Sequence, residues 1–140
     1  MKLVFNHLGQ PCGLKTPNLS NFIAYCVKGK EVSVAYVSWR KVQEGEKIRL
    51  WKLVKAFFEI EDCHKGFVMK SASKKWRAFR SFLRKKYYDA TKTTKENIAD
   101  GCDKRVHEKQ WAWLVHYWKS DKYLVSICQL WYSLNCAFLL

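Results

Sequence analysis

Val68, Ala72, Trp76, Phe79, Leu83 and Tyr87 follow one another at steps of 4, 4, 3, 4 and 4 residues. A strand cannot use that spacing, because its side chains alternate with a period of two. A helix of 3.6 residues per turn places all six on one stripe. The stretch KKWRAFRSFLRKKYY, Lys74 to Tyr88, lies across this period, and seven of its fifteen residues are Lys or Arg. Lys70, Lys74, Arg77, Arg84 and Lys85 fall largely off the apolar stripe. The period therefore predicts a helix whose rings face a core and whose cations face solvent.

The rest of the chain supplies partners for that stripe. Thr16-Pro17 reads as an N-cap followed by a proline at the first helical position. Leu19, Phe22, Ile23, Cys26 and Val27 continue at helical spacing until Gly29. EVSVAYVSW, residues 31 to 39, alternates like a strand but has no strand to pair with, so it reads as an extended connector. A second helix is predicted over Glu44 to Phe58, with Leu50, Trp51, Val54, Phe57 and Phe58 apolar. EDCHKG, 61 to 66, reads as a polar turn, and 89 to 103 as a mobile polar loop. Arg105 to Lys122 reads as a further helix with Trp111, Leu114, Val115 and Trp118 on its apolar face, and with Trp113, His116 and Tyr117 beside it.

These elements specify a mainly α fold, a small bundle of three to four amphipathic helices with an irregular N-terminal lead-in. Residues 1 to 17 form the lead-in, 18 to 122 the helical domain, and 123 to 140 a tail of another kind. The 140 residues are 49% hydrophobic and 16% aromatic, enough for one packed domain and incompatible with disorder of the whole chain. From Leu124 onward no residue is charged. Ser126, Gln129, Ser133 and Asn135 would nonetheless lie unpaired in lipid, so the tail is a poor membrane span and argues against a membrane partner.

Charge narrows the choice of partner. The formal net charge is +14, and Lys65 to Lys95 holds eleven Lys or Arg against the single acid Asp89, a net +10. A field so concentrated suits a polyanion. The expected contact residues are Lys74, Lys75, Arg77, Arg84, Lys85 and Lys86, touching DNA phosphates with little regard to sequence. Arg80 lies nearer the apolar stripe and is expected to run along Trp76 instead.

Two blocks carry a family resemblance. WRAFRSFLRKKYY contributes Trp76, Phe79, Arg80, Ser81 and Leu83. RVHEKQWAWLVHYWKSDK contributes Gln110, Trp111, Leu114, Val115, Tyr117, Trp118 and Ser120. Together they resemble the plant transposase family associated with En/Spm (CACTA-type) elements. Gly9, Gly13, Leu19, Phe22, Trp39, Val42, Lys47, Trp51, Val54 and Phe58 extend the resemblance upstream, so that it spans roughly Leu8 to Lys122. Gln43 and Gly45 depart from the proline usual after Val42. After Lys122 the family's polar continuation is replaced by the uncharged tail, as a retained intron or altered reading frame would do. The resemblance implies a transposon-derived protein, resident in the nucleus, with DNA and other transposon-encoded or host proteins as partners.

Other chemistry finds little support. Metal-dependent strand cleavage needs carboxylates gathered on a sheet, whereas Glu61, Asp62, Asp100 and Asp103 fall in loops or on helix surfaces. No catalytic residue is therefore assigned and the domain is expected not to be an enzyme. Cys63 with His64, or Cys102 with His107, lacks the spacing of a zinc finger or ribbon, so neither metal nor cofactor is expected. The start MKLVFNHLG is no secretory core, and the six irregularly spaced cysteines read as reduced thiols. The alternative to DNA binding is a protein-interaction module that docks through Trp113 and Trp118.

Overall fold

The computed structural model describes residues 2–13, 15–28 and 31–138, with side chains as far as Leu134. Six helices carry the fold among the described residues: α1 (Thr16–Lys28), α2 (Glu44–Phe57), α3 (Lys65–Tyr87), α4 (Thr94–Asp100), α5 (Glu108–Lys119) and α6 (Asp121–Phe138). The mainly helical architecture is as expected from the periodicity. The lead-in is more ordered than its composition suggests, since β1 (Val4–Phe5) and β2 (Pro11–Cys12) pair antiparallel. Asn6 closes the turn, its Oδ1 accepting from the backbone N–H groups of Leu8 and Gln10 at 3.0 Å. Gly9 sits there at φ +75°, a conformation that an L side chain resists.

α3 spans two cores. Its first half sends Val68, Ala72 and Trp76 among Leu19, Ile23 and Val27 of α1 and Leu50 and Val54 of α2. Its second half sends Phe79 and Leu83 among Trp111, Leu114, Val115 and Trp118 of α5. One stripe thus serves both clusters, which is why its period persists for so many turns. Five of its six residues are buried, and Tyr87 at the end is half-buried.

The connector before α2 forms no strand, as its lack of a partner predicted. It is held by side chains instead. Trp76 donates its indole N–H to the Ser33 carbonyl at 2.9 Å, and Glu46 accepts from the Ser33 amide at 2.9 Å and from the Tyr36 hydroxyl. That hydrogen bond to a carboxylate raises the Tyr36 pKa. Val32 and Val34 are buried from this extended chain.

Several boundaries differ from expectation. α1 begins at Thr16 rather than after it, and the Thr16 hydroxyl is buried with no hydrogen-bond partner among the described residues, so it is not the cap. Pro17 remains in the first turn, where its missing N–H costs nothing. Gly29, the expected stop, lies outside the described residues. Phe57 points away from the α2 stripe and is exposed, whereas Phe58 is buried. The polar turn is a short 3₁₀ segment, Asp62–His64, leading straight into α3. The predicted helix over 105 to 122 is divided. His107 caps α5 by accepting from the Lys109 amide through Nδ1 at 3.1 Å, and Ser120 ends it. α6 then carries the uncharged tail.

The segment from 89 to 103 is not a mobile loop. Thr93 caps α4 by accepting from the Glu96 amide at 3.2 Å. Asn97 is fully buried, with its Nδ2 donating to the carbonyls of Asp89 and Thr93 and its Oδ1 accepting from the Asp89 amide. Polar composition suggested mobility, but one buried amide fastens the segment to itself.

Candidate nucleic-acid interface

α3 presents its cations in two groups. At about 100° per residue, Lys70, Lys74, Arg77, Arg84 and Lys85 share one flank of the helix, with Ser81 among them. Lys75 and Lys86 fall toward the opposite flank. The six expected contact residues therefore do not form one surface: Lys74, Arg77, Arg84 and Lys85 do, and Lys75 and Lys86 stand apart from them.

Exposure and neighbours divide them further. Lys74, Arg77, Lys85 and Lys86 are exposed, while Lys75 and Arg84 are half-buried. The Arg84 guanidinium lies over the rings of Tyr88 and Tyr123 at 5.8 and 5.3 Å. The Lys86 ammonium lies 5.5 Å from the Phe82 ring and 5.4 Å from the Tyr87 ring. Lys86 is also near enough to Asp103 to help hold that carboxyl low, so it is the cation least free for an outside partner.

Three of the protein's acids are paired with cations outside α3. The ion pairs among the described residues are Lys55–Asp62 at 2.7 Å, Lys92–Asp100 at 2.8 Å and Arg105–Asp103 at 2.6 Å. None includes a cation of α3. Asp62, Asp100 and Asp103 each have a cation at hand and are not gathered into a metal-binding triad. A buffered surface would show the opposite arrangement, with acids interleaved among the α3 cations.

Arg80 runs along Trp76, as its position predicted, with the guanidinium carbon 4.6 Å from that ring and 5.6 Å from the Tyr117 ring. Its Nη1 donates to the Val37 carbonyl at 3.3 Å. Burial lowers its pKa from the usual guanidinium value, against the raising effect of Tyr117 and Tyr123. Arg77, Arg80, Ser81 and Arg84 line one cavity with Tyr117, Trp118 and Tyr123. The i, i+3, i+7 spacing of the three arginines was visible in the sequence. The tyrosines facing them come from α5 and α6, and no local pattern announces them.

The remaining residues with ligand chemistry are scattered. Glu61, Cys63 and His64 bring one ligand atom each within 4.8 Å of one another. They are three groups from one exposed turn, and the His64 ring is stacked on Phe5 at 3.6 Å, so the tetrahedral set a structural zinc requires is incomplete. Cys102 and His107 gather no third ligand among the described residues. His116 is exposed rather than packed against its tryptophan neighbours. Cys12, Cys26, Cys63, Cys102 and Cys128 are free thiols. Burial pushes Cys26 and Cys102 up to about 11, with Glu31 and Asp103 adding to it.

The docking surface expected at Trp113 and Trp118 does not exist in that form. Trp118 is buried in the second core, and Trp113 is half-buried with its ring stacked on Tyr117 at 5.2 Å. Exposed apolar side chains lie instead along α6, including Leu124, Leu130 and Leu134. No helix among the described residues is long and apolar enough to cross a membrane. No family model matches the chain, and no curated protein or solved structure is significantly similar to it.

Proposed function

We propose that this chain is a non-catalytic helical domain that binds DNA through one flank of α3, with low sequence specificity. The observation that carries the reading is the band on one flank of α3, where Lys70, Lys74, Arg77 and Lys85 are exposed and Arg84 is half-buried, while the ion pairs of the described residues lie elsewhere. A helix packed into two cores fixes the backbone that carries the band, so binding has to order only the side chains themselves. Lysine and arginine in such a row neutralise successive phosphates and release condensed counterions, whatever the base sequence.

The transposon origin, nuclear residence and association with transposon-encoded or host proteins rest on the resemblance of the two tryptophan-containing blocks. The second reading, a protein-interaction module, draws support from the exposed apolar side chains of α6 rather than from Trp113 and Trp118.

Retardation of a DNA duplex across a series of salt concentrations tests the first reading. About five phosphate contacts give a slope of log affinity against log salt of about −4 to −5. A flat response, or a complex that ignores salt, removes DNA binding and favours docking through α6.

A further inference from the structure

The cavity between α3 and the α5–α6 junction has the makings of an anion site. Arg77, Arg80, Ser81 and Arg84 line it from one helix, with Tyr117 and Tyr123 across from them, and it forms a solvent-open depression of about 260 Å³. The guanidinium groups of Arg80 and Arg84 lie over the Tyr117 and Tyr123 rings of this space at 5.6 and 5.3 Å, and Arg77 lines it beside them. None of them takes part in the ion pairs of the described residues.

One donor on this wall is buried without a partner among the described residues, and a neighbouring guanidinium is only partly engaged. Arg80 is half-buried, and of its five N–H donors the fold engages one, with the Val37 carbonyl at 3.3 Å. The Trp76 and Tyr117 rings attract its charge but accept no in-plane hydrogen bond. The Nε of Arg84 is buried and has no hydrogen-bond partner among the described residues. A buried donor is ordinarily paired, and no carboxylate among the described residues pairs with either arginine.

We propose that this cavity binds a phosphate group, with Arg77, Arg80 and Arg84 as its cationic donors and the Ser81 and Tyr117 hydroxyls at its edge. The forked guanidinium matches two oxygens of a phosphate at once. Three forks along one helix wall surround a tetrahedral anion better than they do a planar carboxylate. The phosphate belongs to a nucleic-acid strand or to a small phosphorylated molecule, and the cavity's chemistry is common to both. Arg77 and Arg84 also belong to the DNA-binding flank, so the inference shares residues with that reading, though it is tested separately.

Calorimetric titration of the whole chain with inorganic phosphate, in a chloride buffer of fixed ionic strength, tests it. Saturable one-to-one binding is expected, weakened about tenfold or more in R77Q and in R84Q and unchanged in K52Q, whose lysine is exposed on α2 away from the cavity. Arg77 is exposed, so R77Q keeps the fold, which circular dichroism confirms. Arg80→Lys retains the charge and loses the fork, and should weaken phosphate binding as well. Absence of saturation, or equal weakening by K52Q, overturns the site. DNA retardation by a chain that shows no phosphate saturation sinks the cavity and leaves the DNA reading standing; phosphate saturation by a chain that ignores DNA does the reverse. Where phosphate binds, a 5′-phosphorylated oligonucleotide that binds more tightly than its unphosphorylated twin assigns the source to a strand end. Equal binding of the two assigns it to a backbone or small-molecule phosphate.

Discussion

Trp111 donates its indole N–H to the backbone carbonyl of Asn97 at 3.0 Å, tying the first turn of α5 to the middle of α4. Asn97 in turn donates to the carbonyls of Asp89 and Thr93 at 2.9 and 3.1 Å and accepts from the Asp89 amide at 2.9 Å. The buried tryptophan and the buried asparagine together convert a polar segment into a fixed strut between α3 and α5.

Asn97→Ala is expected to destabilise the fold by about 1–3 kcal/mol, because it leaves the Asp89 amide and carbonyl without their side-chain partner inside the fold. Thr93→Ala should cost about 1 kcal/mol, the usual value of an N-cap. Urea unfolding measures both. Hydrogen exchange should show the amides of residues 89 to 103 losing protection in N97A. A loss below about 0.5 kcal/mol would mean that the amide network is incidental.

This network marks where the sequence stops being legible. The α3 stripe was readable because six side chains obey a single local period, and the same holds for Leu50, Trp51 and Val54 in α2. Asn97 obeys no period. Its burial follows from Trp111, fourteen residues away, and from the path of the chain between them. TKTTKEN did contain the signal for α4, since Thr93 stands three residues before Glu96 as in a capping box, but the polar composition around it reads as solvent-exposed loop. The candidate site divides in the same way. The cations and their flank follow from helical geometry; Tyr117 and Tyr123 against Arg80 and Arg84 follow only from tertiary packing.

Asp103 gives the fold a pH dependence of known sign. Hydrogen bonds from Arg105 hold its carboxyl down to about 2, below the value of about 3.9 in an unfolded chain. The ionised form is favoured by folding, so this stability is fully present above about pH 4 and is lost as pH falls through about 2. Arg105 is half exposed at 47%, and with solvent screening the contribution is about 1 kcal/mol. Wild type should therefore exceed D103N in stability by that amount between pH 5 and 7, as measured by urea unfolding. The gap should narrow as pH is lowered from about 4. A gap that ignores pH would locate the effect outside the ionised pair.

The thiols should separate by environment. Cys12, Cys63 and Cys128 are exposed, whereas Cys26 is buried and Cys102 half-buried. Burial raises Cys26 and Cys102 to about 11, so at pH 8 very little thiolate is present at either. Alkylation followed by mass mapping should modify the three exposed thiols at least tenfold faster. The slow pair should accelerate as pH rises toward 11 while the fold persists. Rapid labelling of Cys26 at pH 8 would require the first core to open on that timescale.

The two flanks of α3 make opposite predictions for DNA. Lys74 and Lys85 lie on the flank with Arg77 and Arg84, are exposed, and are absent from the ion pairs of the described residues. Lysines of this kind each account for about one unit of the slope of log affinity against log salt. K74Q/K85Q should thus reduce that slope by about 2 and weaken binding alike for unrelated duplexes, because phosphate contacts read no bases. K75Q/K86Q removes the same formal charge from the other flank, where Lys86 lies against Phe82 and Tyr87 and within the field of Asp103. It should leave the slope nearly unchanged and lower affinity only through the loss of net charge. Duplex retardation over a salt series, with four proteins of matched folding by circular dichroism (wild type, both double variants and their combination), distinguishes a defined interface from a diffuse positive field. Equal effects of the two double variants would assign the binding to net charge alone and take the α3 flank out of the account.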